Sequence, residues 1–470
     1  MRWKTTLTLL IATVALGAYV SLYELRQPGP EEREQLASQV ANILPDEITG
    51  LELRTRTGTT SLRQINGAWR VTQPIDARAD DAAVRRILNH FAPLEADRTL
   101  RPAKGKPLNL AEFGLAPPVT SIAVTTPKGT TRLDIGESTA VGEGRYATRP
   151  GQPEVYIIPA AVFDDVNKPP SDLRSHDVFD FKSWDADRLS VMSLINSFTL
   201  TKEKERWLIS TPVFDAADQQ AADRLLDTVA KLPIERVIAD DPKVEDLPQW
   251  GFDMPTAHLV VLVANRPMPV DLYIGKATSD QPDQLYAKRV DERAIYAVSK
   301  ARVDALLVDP STLRSRACFV FLEPKVARVH HEWQGARWSL ENHDGQWVNV
   351  STGKPVDAAR VADLLGKLRD LRLTRFMQDG GQNLARYGLD PAESVIAVQL
   401  SQSDETQQLL IGAESGDGKN RYGFLPSRKI VVELPGSILE LLGMKIETLS
   451  TPMPASPPPA VASQGSEDEH

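Results

Sequence analysis

Short runs of alternating apolar and polar residues recur along the chain. Leu51-Glu52-Leu53-Arg54 places its apolar side chains on one face at period two and so predicts a strand, and Val191-Met192-Ser193-Leu194 is read as the strand opening the second copy. Each such run leads through a polar turn to a strand centred on tryptophan: Trp69, Trp207 and Trp347. In the first two copies a proline, Pro74 or Pro212, ends that strand. The period then changes. Val84, Ile87, Leu88 and Phe91 follow the i, i+3, i+4, i+7 spacing of one helical face, as do Ala222, Leu225, Leu226 and Val229, and again Val361, Leu364, Leu365 and Leu368. Asp80, Asp218 and Asp357 stand at the start of these helices, where a carboxylate caps free backbone N–H groups. Further short strands follow, among them Ser121–Val124, Leu133–Ile135, Val155–Ile158 and Leu259–Val263. Short helices close the copies near 160–166, 300–308 and 437–442.

This succession is one unit read three times. The tryptophans are 138 and 140 residues apart. The glycines of Phe113-Gly114-Leu115, Trp250-Gly251-Phe252 and Tyr387-Gly388-Leu389 are each 137 apart, and those of Ile135-Gly136, Ile274-Gly275 and Ile411-Gly412 are 139 and 137 apart. Tyr146, Tyr286 and Tyr422 keep spacings of 140 and 136. Four landmarks in a constant order mark an internal repeat. A unit of this length can bury its own core, unlike the short repeats of solenoids. Leu173-Arg174-Ser175 and Leu313-Arg314-Ser315, 140 residues apart, lead from one unit into the next, and the third copy has no such exit. The expected fold class is α+β: one N-terminal transmembrane helix, then three tandem repeats of a mainly antiparallel sheet with a packed helix. The expected boundaries are an anchor at 1–25, a linker at 26–45, repeats at 46–183, 184–321 and 322–449, and a disordered Pro-rich acidic tail at 450–470.

The anchor rests on Thr5–Tyr23, 19 residues without a charge. At about 1.5 Å per residue they would reach roughly 28 Å, close to a hydrocarbon core of about 30 Å. Arg2 and Lys4 precede the stretch, which predicts a cytoplasmic N-terminus and an exported body, periplasmic in a Gram-negative cell. A cleaved signal peptide with Ala15-Leu16-Gly17 as its small-residue site is the alternative, and the apolar stretch is long for a signal core of about 7–15 residues.

The N-terminal segment, the Trp69–Pro74 strand with its Asp80-led helix, and the turns Phe113-Gly114-Leu115-Ala116-Pro117-Pro118 and Tyr387-Gly388-Leu389-Asp390-Pro391 together resemble the domain of unknown function 4340 family of bacterial envelope proteins. Leu409-Leu410-Ile411-Gly412 is a further family-like element, and the likeness runs from residue 1 to about 449. The second copy departs from it with Trp250-Gly251-Phe252-Asp253-Met254-Pro255, where the changes stay aromatic and apolar. The resemblance implies an accessory protein of gliding-motility-type ABC exporters, with an ABC permease, its ATPase and an auxiliary subunit as partners at the inner membrane. It brings no catalytic residue with it.

Composition narrows the chemistry. The chain has 54 basic and 63 acidic side chains, a net charge of −9, which argues against nucleic acid as a partner. One cysteine, Cys318, excludes an internal disulfide or a cysteine-rich metal site, and its apolar neighbours make it a core residue. No Gly-x-Ser-x-Gly elbow, His-Glu-x-x-His helix or P-loop occurs. Gly142-Glu143-Gly144-Arg145-Tyr146-Ala147 fits a dinucleotide pattern formally but opens no helix, so it reads as a hairpin turn, like Gly416-Asp417-Gly418. His330, His331 and His343 cluster in sequence, yet adjacent strand residues point to opposite faces. Asp80-Asp81 and Asp240-Asp241 read as a cap and a turn, and the repeated tryptophans as core. No catalytic, cofactor-binding or metal-binding residue is predicted. Tyr146, Tyr286 and Tyr422, with Arg145, Arg289 and Arg421 beside them, are the candidate recognition edge. The expected function is that of a non-enzymatic, membrane-anchored periplasmic scaffold of an ABC-type export system. The alternative is a periplasmic binding module for lipid, glycan or peptide cargo. An envelope hydrolase would need a convergent nucleophile, base or metal that no motif supplies.

Overall fold

A computed structural model describes residues 38–450 apart from 104, 105, 141, 402–404 and 417. The first repeat opens with β1 (Gly50–Thr55), β2 (Gly58–Ile65), β3 (Ala68–Gln73) and β4 (Ala77–Arg78), followed by helix α1 (Asp81–Phe91). Strands β5 (Arg98–Leu100), β6 (Thr120–Thr126), β7 (Gly129–Ser138), β8 (Gly144–Thr148) and β9 (Val155–Pro159) come next, then helix α2 (Ala160–Val166). The second repeat has β10 (Ala186–Ser193), β11 (Ser197–Glu203), β12 (Arg206–Thr211), β13 (Asp215–Ala216) and helix α3 (Gln219–Ala230). It continues with β14 (Arg236–Ala239), β15 (Ala257–Val263), β16 (Val270–Ala277), β17 (Gln284–Arg289), β18 (Ile295–Ser299) and helix α4 (Lys300–Asp304). The third has β19 (Val326–Trp333), β20 (Ala336–His343), β21 (Gln346–Asn349) and helix α5 (Ala358–Asp370). Strands β22 (Arg375–Asp379), β23 (Ser394–Leu400), β24 (Thr406–Glu414), β25 (Arg421–Leu425) and β26 (Ile430–Leu434) precede helices α6 (Ile438–Leu442) and α7 (Ile446–Ser450).

The expectation of an α+β fold is corrected by these elements. The described residues hold 26 strands in three antiparallel sheets and seven α-helices, the longest of 13 residues, so the protein is mostly antiparallel sheet. The helical pattern is strong wherever it occurs but occurs once per repeat at full length, against eight or nine strands. The membrane helix is not part of the described fold either. No helix among the described residues is long and apolar enough to cross a membrane. Thr5–Tyr23, the linker up to residue 37 and the tail after Ser450 lie outside the described residues.

By its internal contacts the chain divides into two compact units. The first comprises Met1–Asp180, Ala230–Thr256 and Val270–Val303, and the second Phe181–Val229, Ala257–Pro269 and Asp304–His470. In the first unit lies the complete sheet of repeat one, in the order β4-β3-β2-β1-β6-β7-β8-β9-β5, together with β16-β17-β18-β14 of repeat two. In the second unit lie β13-β12-β11-β10-β15 of repeat two and the sheet of repeat three, in the order β21-β20-β19-β23-β24-β25-β26-β22.

Sequence patterning accounts for the packing. The four apolar positions of α1 are buried with Leu53, Leu62, Ile122 and Ile135 of the sheet, and those of α5 with Val329, Leu340, Val398 and Ile411. Removing such surface from water stabilises by about 25 cal/mol per Å2 of apolar area. The caps are as the sequence indicates: Asp80 Oδ1 accepts from the N–H groups of Ala82 and Ala83, Asp218 Oδ1 from Ala221, and Asp357 Oδ1 from Arg360. Trp207 and Trp347 are buried, while Trp69 is partly buried against the core. Val40 and Ala41 belong to the first core, inside the stretch expected to be linker.

Candidate docking interface

The landmarks of the repeat assemble into one local structure. A Cβ on Gly136, Gly275 or Gly412 would lie 2.1, 2.1 or 2.2 Å from the carbonyl oxygen of Phe113, Trp250 or Tyr387. Only glycine permits that approach, which fixes the aromatic-Gly turn against the β7, β16 or β24 strand. The turn aromatic then meets the repeated tyrosine edge to face. Centroid distances are 4.9 Å for Phe113–Tyr146, 6.4 Å for Trp250–Tyr286 and 5.0 Å for Tyr387–Tyr422. Tyr286 is buried and Tyr146 and Tyr422 are half-buried.

The three arginines of the candidate edge fall into two classes. Arg145 and Arg421 each precede their tyrosine and donate to the same carbonyl of the repeat, Gly136 at 3.4 Å and Gly412 at 2.7 Å. Arg421 also pairs with Glu393 at 2.7 Å. The Arg145 guanidinium lies 3.7 Å above the Phe163 ring and lines a groove of about 490 Å3 in the first repeat, with Arg56, Thr57, Glu137 and Asn167. Arg289 instead follows its tyrosine by three residues and is only 1% exposed.

Arg289 belongs to a junction between repeats that lies wholly within the first unit. It donates to Val178 O at 3.0 Å, to Asp180 at 3.1 Å and to Asp291 at 2.6 and 2.8 Å. Burial opposes its charge, and the hydrogen bond to Asp291 with the Glu292 and Asp180 carboxylates more than offsets that, so its pKa lies above the ordinary value. Glu292 accepts from Arg78 Nε and from the Tyr296 hydroxyl. Burial, and then the Glu292 charge, raise the Tyr296 pKa. Lys288 donates to Glu292 O at 2.6 Å, and burial lowers its pKa. Arg174 of the Leu-Arg-Ser exit pairs with Asp240 at 2.8 Å.

The second unit contains the equivalent junction between repeats two and three. Arg314 pairs with Asp379 at 2.6 Å, as Arg174 does with Asp240. It also donates to Asp215 at 2.7 Å, and Arg428 donates to the two oxygens of Asp215 at 2.6 and 2.9 Å. The backbone is clamped alike at both. Leu173 O accepts from Asp80 and Leu313 O from Asp218, both at 2.8 Å. Ser175 N donates to Arg78 O and Ser315 N to Ala216 O, both at 2.9 Å. Val178 N donates to Leu232 O and Cys318 N to Leu371 O, at 2.8 and 3.2 Å. In the first repeat Val40 N donates to Leu94 O at 2.8 Å, which makes Val40, Val178 and Cys318 one repeated position. In the third, Leu449 O accepts from Asp357 at 2.9 Å, so Leu449 stands where Leu173 and Leu313 stand although no Leu-Arg-Ser follows.

The remaining candidates are placed as follows. His330 Nδ1 lies 2.9 Å from Ser339 Oγ, while His331 is buried on the other face and stacked on Trp338 at 4.7 Å. Cys318 is buried, and burial pushes its thiol up to about 12. Gly142 lies between β7 and β8 and Gly144 is the first residue of β8, so neither opens a helix. Among the described residues no group of three His, Cys, Asp or Glu side chains could hold a metal ion. Asp240 reads in sequence only as a turn residue, and Asp379, Asp215 and Arg428 do not stand out there. The signal that identifies the first two is their coincidence in the repeat, 139 residues apart, matching Arg174 and Arg314 at 140.

The family described as a domain of unknown function (DUF4340) matches residues 69–243, 207–354 and 347–463. The matches start at Trp69, Trp207 and Trp347, the first landmark of each repeat. The chain belongs to this family, and its internal repetition is that of the family domain occurring three times. No curated protein matches the chain.

Proposed function

We propose that this protein is a non-enzymatic scaffold: an accessory component of an ABC-type export system on the periplasmic side of the inner membrane, in which repeated sheets are held in fixed order and present their outer faces to partner subunits. The observation that carries this reading is the use of buried charge. Of the seven Asp, Glu, Arg and Lys side chains buried among the described residues, five lie at the repeat junctions: Arg174, Asp215, Arg289, Glu292 and Arg314. Buried ion pairs add little net stability but penalise every arrangement that separates them, and so specify geometry. An exposed hairpin tip gives a partner something to grip, since Leu194 and Ile195 between β10 and β11 are 91% and 85% exposed. The ABC assignment comes from the family resemblance. Purification of tagged full-length protein from native membranes in mild detergent, with mass spectrometry of what accompanies it, tests the proposal. Stoichiometric recovery of an ABC permease and ATPase supports it, and recovery of the protein without subunits refutes it.

A second reading, a binding module for lipid, glycan or peptide cargo, draws on the groove beneath Arg145, where a guanidinium, an aromatic face and hydroxyls converge in the first repeat. Native mass spectra carrying a bound molecule, lost on Arg145→Ala, would favour it.

A further inference from the structure

Each junction joins an exit from one repeat to a receiving face on the next. In the second repeat the receiving face consists of Asp240, Arg289, Glu292 and Tyr296, and it meets Arg78 and Arg174. The first repeat builds the same face. Ala147 pairs with Tyr156 as Ala287 pairs with Tyr296, and Leu100 with Val155 as Ala239 with Ile295. Gln152 N donates to Arg149 O at 3.0 Å, as Glu292 N does to Arg289 O at 3.4 Å. The Tyr156 hydroxyl donates to Gln152 at 3.0 Å, as the Tyr296 hydroxyl does to Glu292. Arg149 therefore stands at the position of Arg289, Gln152 at that of Glu292, and Arg101 at that of Asp240.

Two differences set this face apart. Its charges are unpaired: Arg149 Nε is buried without a hydrogen-bond partner, and neither Arg149 nor Arg101 forms an ion pair among the described residues. Its sign is also reversed. Arg101 replaces an aspartate, Gln152 replaces a glutamate, and Gly151 stands where Asp291 holds Arg289. Two cations, Arg101 and Arg149, stand on this face where the second repeat has one cation, Arg289, with Asp240, Asp291 and Glu292, so the balance shifts toward positive charge.

We propose that this face of the first repeat is a docking site for a partner protein that presents carboxylates where the exit of repeat one presents Arg78 and Arg174. Charge complementarity selects the occupant. A second copy is a poor fit, because the corresponding exit of the third repeat carries Lys354 and Pro355 at the positions of Asp215 and Ala216 and would set cation against cation. The proposal rests on the docking function above and assigns its location and sign.

The test places the photo-crosslinking residue p-benzoylphenylalanine at exposed Pro153 in the full-length chain, made in its own host and irradiated in intact cells. The expected result is an adduct with one partner protein whose crosslinked peptide contains Asp or Glu. Arg101→Glu with Arg149→Glu should lower its yield at least about tenfold, since close charge pairs across interfaces couple by about 1.5 kcal/mol or more. Arg101→Glu alone, at an exposed position, should lower it in the same direction without disturbing the fold. Changing the partner's crosslinked carboxylate to lysine should restore the yield with the Glu variants. No adduct, an adduct with this chain's own residues, or a yield indifferent to both variants would overturn the proposal. A subunit that co-purifies yet gives no adduct from Pro153 overturns this assignment alone and leaves the docking function standing.

Discussion

Asp215 is the most consequential single side chain at the second junction. Its side chain is fully buried, and three charge-assisted hydrogen bonds converge on it: one from Arg314 and two from Arg428. Its Oδ1 also accepts from the Ala216 N–H at 2.8 Å. Asp215→Asn keeps the shape and removes the charge, leaving two largely buried guanidiniums facing each other. Each lost charge-assisted bond is worth about 1.5–3 kcal/mol in isolation. Breaking a buried ion pair by removing one partner costs about 3–5 kcal/mol, and that range is expected here. The effect is confined to one junction of a three-repeat chain, so a local probe reads it more directly than a global midpoint. Hydrogen exchange measures it locally. The N–H groups of Ser315, Cys318 and Leu373 are bonded across this junction, to Ala216, Leu371 and Arg316. A loss of about 3–5 kcal/mol accelerates their exchange by roughly two to three and a half orders of magnitude. The amides of Val178 and Ile234, which close the other junction in the first unit, should be unchanged. Acceleration of less than about tenfold at Ser315, Cys318 and Leu373 would mean that the buried charge does not hold the junction, and would refute the reasoning.

Burial holds the His331 imidazole below its ordinary value of 6.5, aided by the charge of His330 and opposed by the Leu442 and Leu441 carbonyls. The unfolded chain therefore takes up a proton before the folded one does. Stability of the third repeat should be full above pH 6.5 and decline as pH falls below it, and His331→Phe should flatten that slope in a pH series of denaturant midpoints. Cys318, with its thiol pushed up to about 12 by burial, should resist Ellman's reagent at pH 8 in the folded protein and react at once in denaturant; comparable rates in both would show that the thiol is not buried. Gly275→Ala forces a Cβ to 2.1 Å from Trp250 O and should destabilise by about 1–3 kcal/mol. Gly366→Ala, in the middle of α5 with open space around it, should stabilise by about 0.5–1 kcal/mol. Urea titrations of the two variants decide this, and equal midpoints would contradict it.

The repeat and its landmarks were legible because each landmark is held by its neighbours within one repeat. Gly136 admits the Phe113 carbonyl, and Phe113 meets Tyr146, so all three residues reappear at nearly the same spacing in every copy. The helices were legible from period and cap together. Fold class was misjudged because one amphipathic helix gives a denser signal than several strands of two to ten residues, of which β4, β13 and β5, with two, two and three residues, are too short to show alternation at all. The junctions were half legible. Arg174 and Arg314 stood out as a repeated exit, but their partners Asp240 and Asp379 lie 66 and 65 residues further along the chain. Arg289 was grouped with Arg145 and Arg421 on nearness to a tyrosine, yet strand residues one before and three after a tyrosine differ in how far they carry toward the strand's end. At that end Arg289 reaches the incoming chain.

The two junctions share one ion pair and invert another, and the inversion constrains how the repeats are ordered. Arg174–Asp240 and Arg314–Asp379 have the same sign at the same place. Beside them, the first exit offers Arg78 to Glu292, whereas the second offers Asp215 to Arg428. An exit bearing Arg78 set against the third repeat would face Arg428, and an exit bearing Asp215 set against another copy of the second would face Glu292. Either mismatch sets like charges against each other, which costs several kcal/mol. The shared pair makes the repeats alike enough to stack by one geometry, and the inverted pair makes their order unique. That division of labour explains why charged groups persist in a setting where apolar packing alone would be as stable. Glu292→Gln, which removes the carboxylate shared by Arg78 and Arg289, should raise exchange at Ser175 and Val178 by more than about tenfold, and unchanged exchange there would count against the argument.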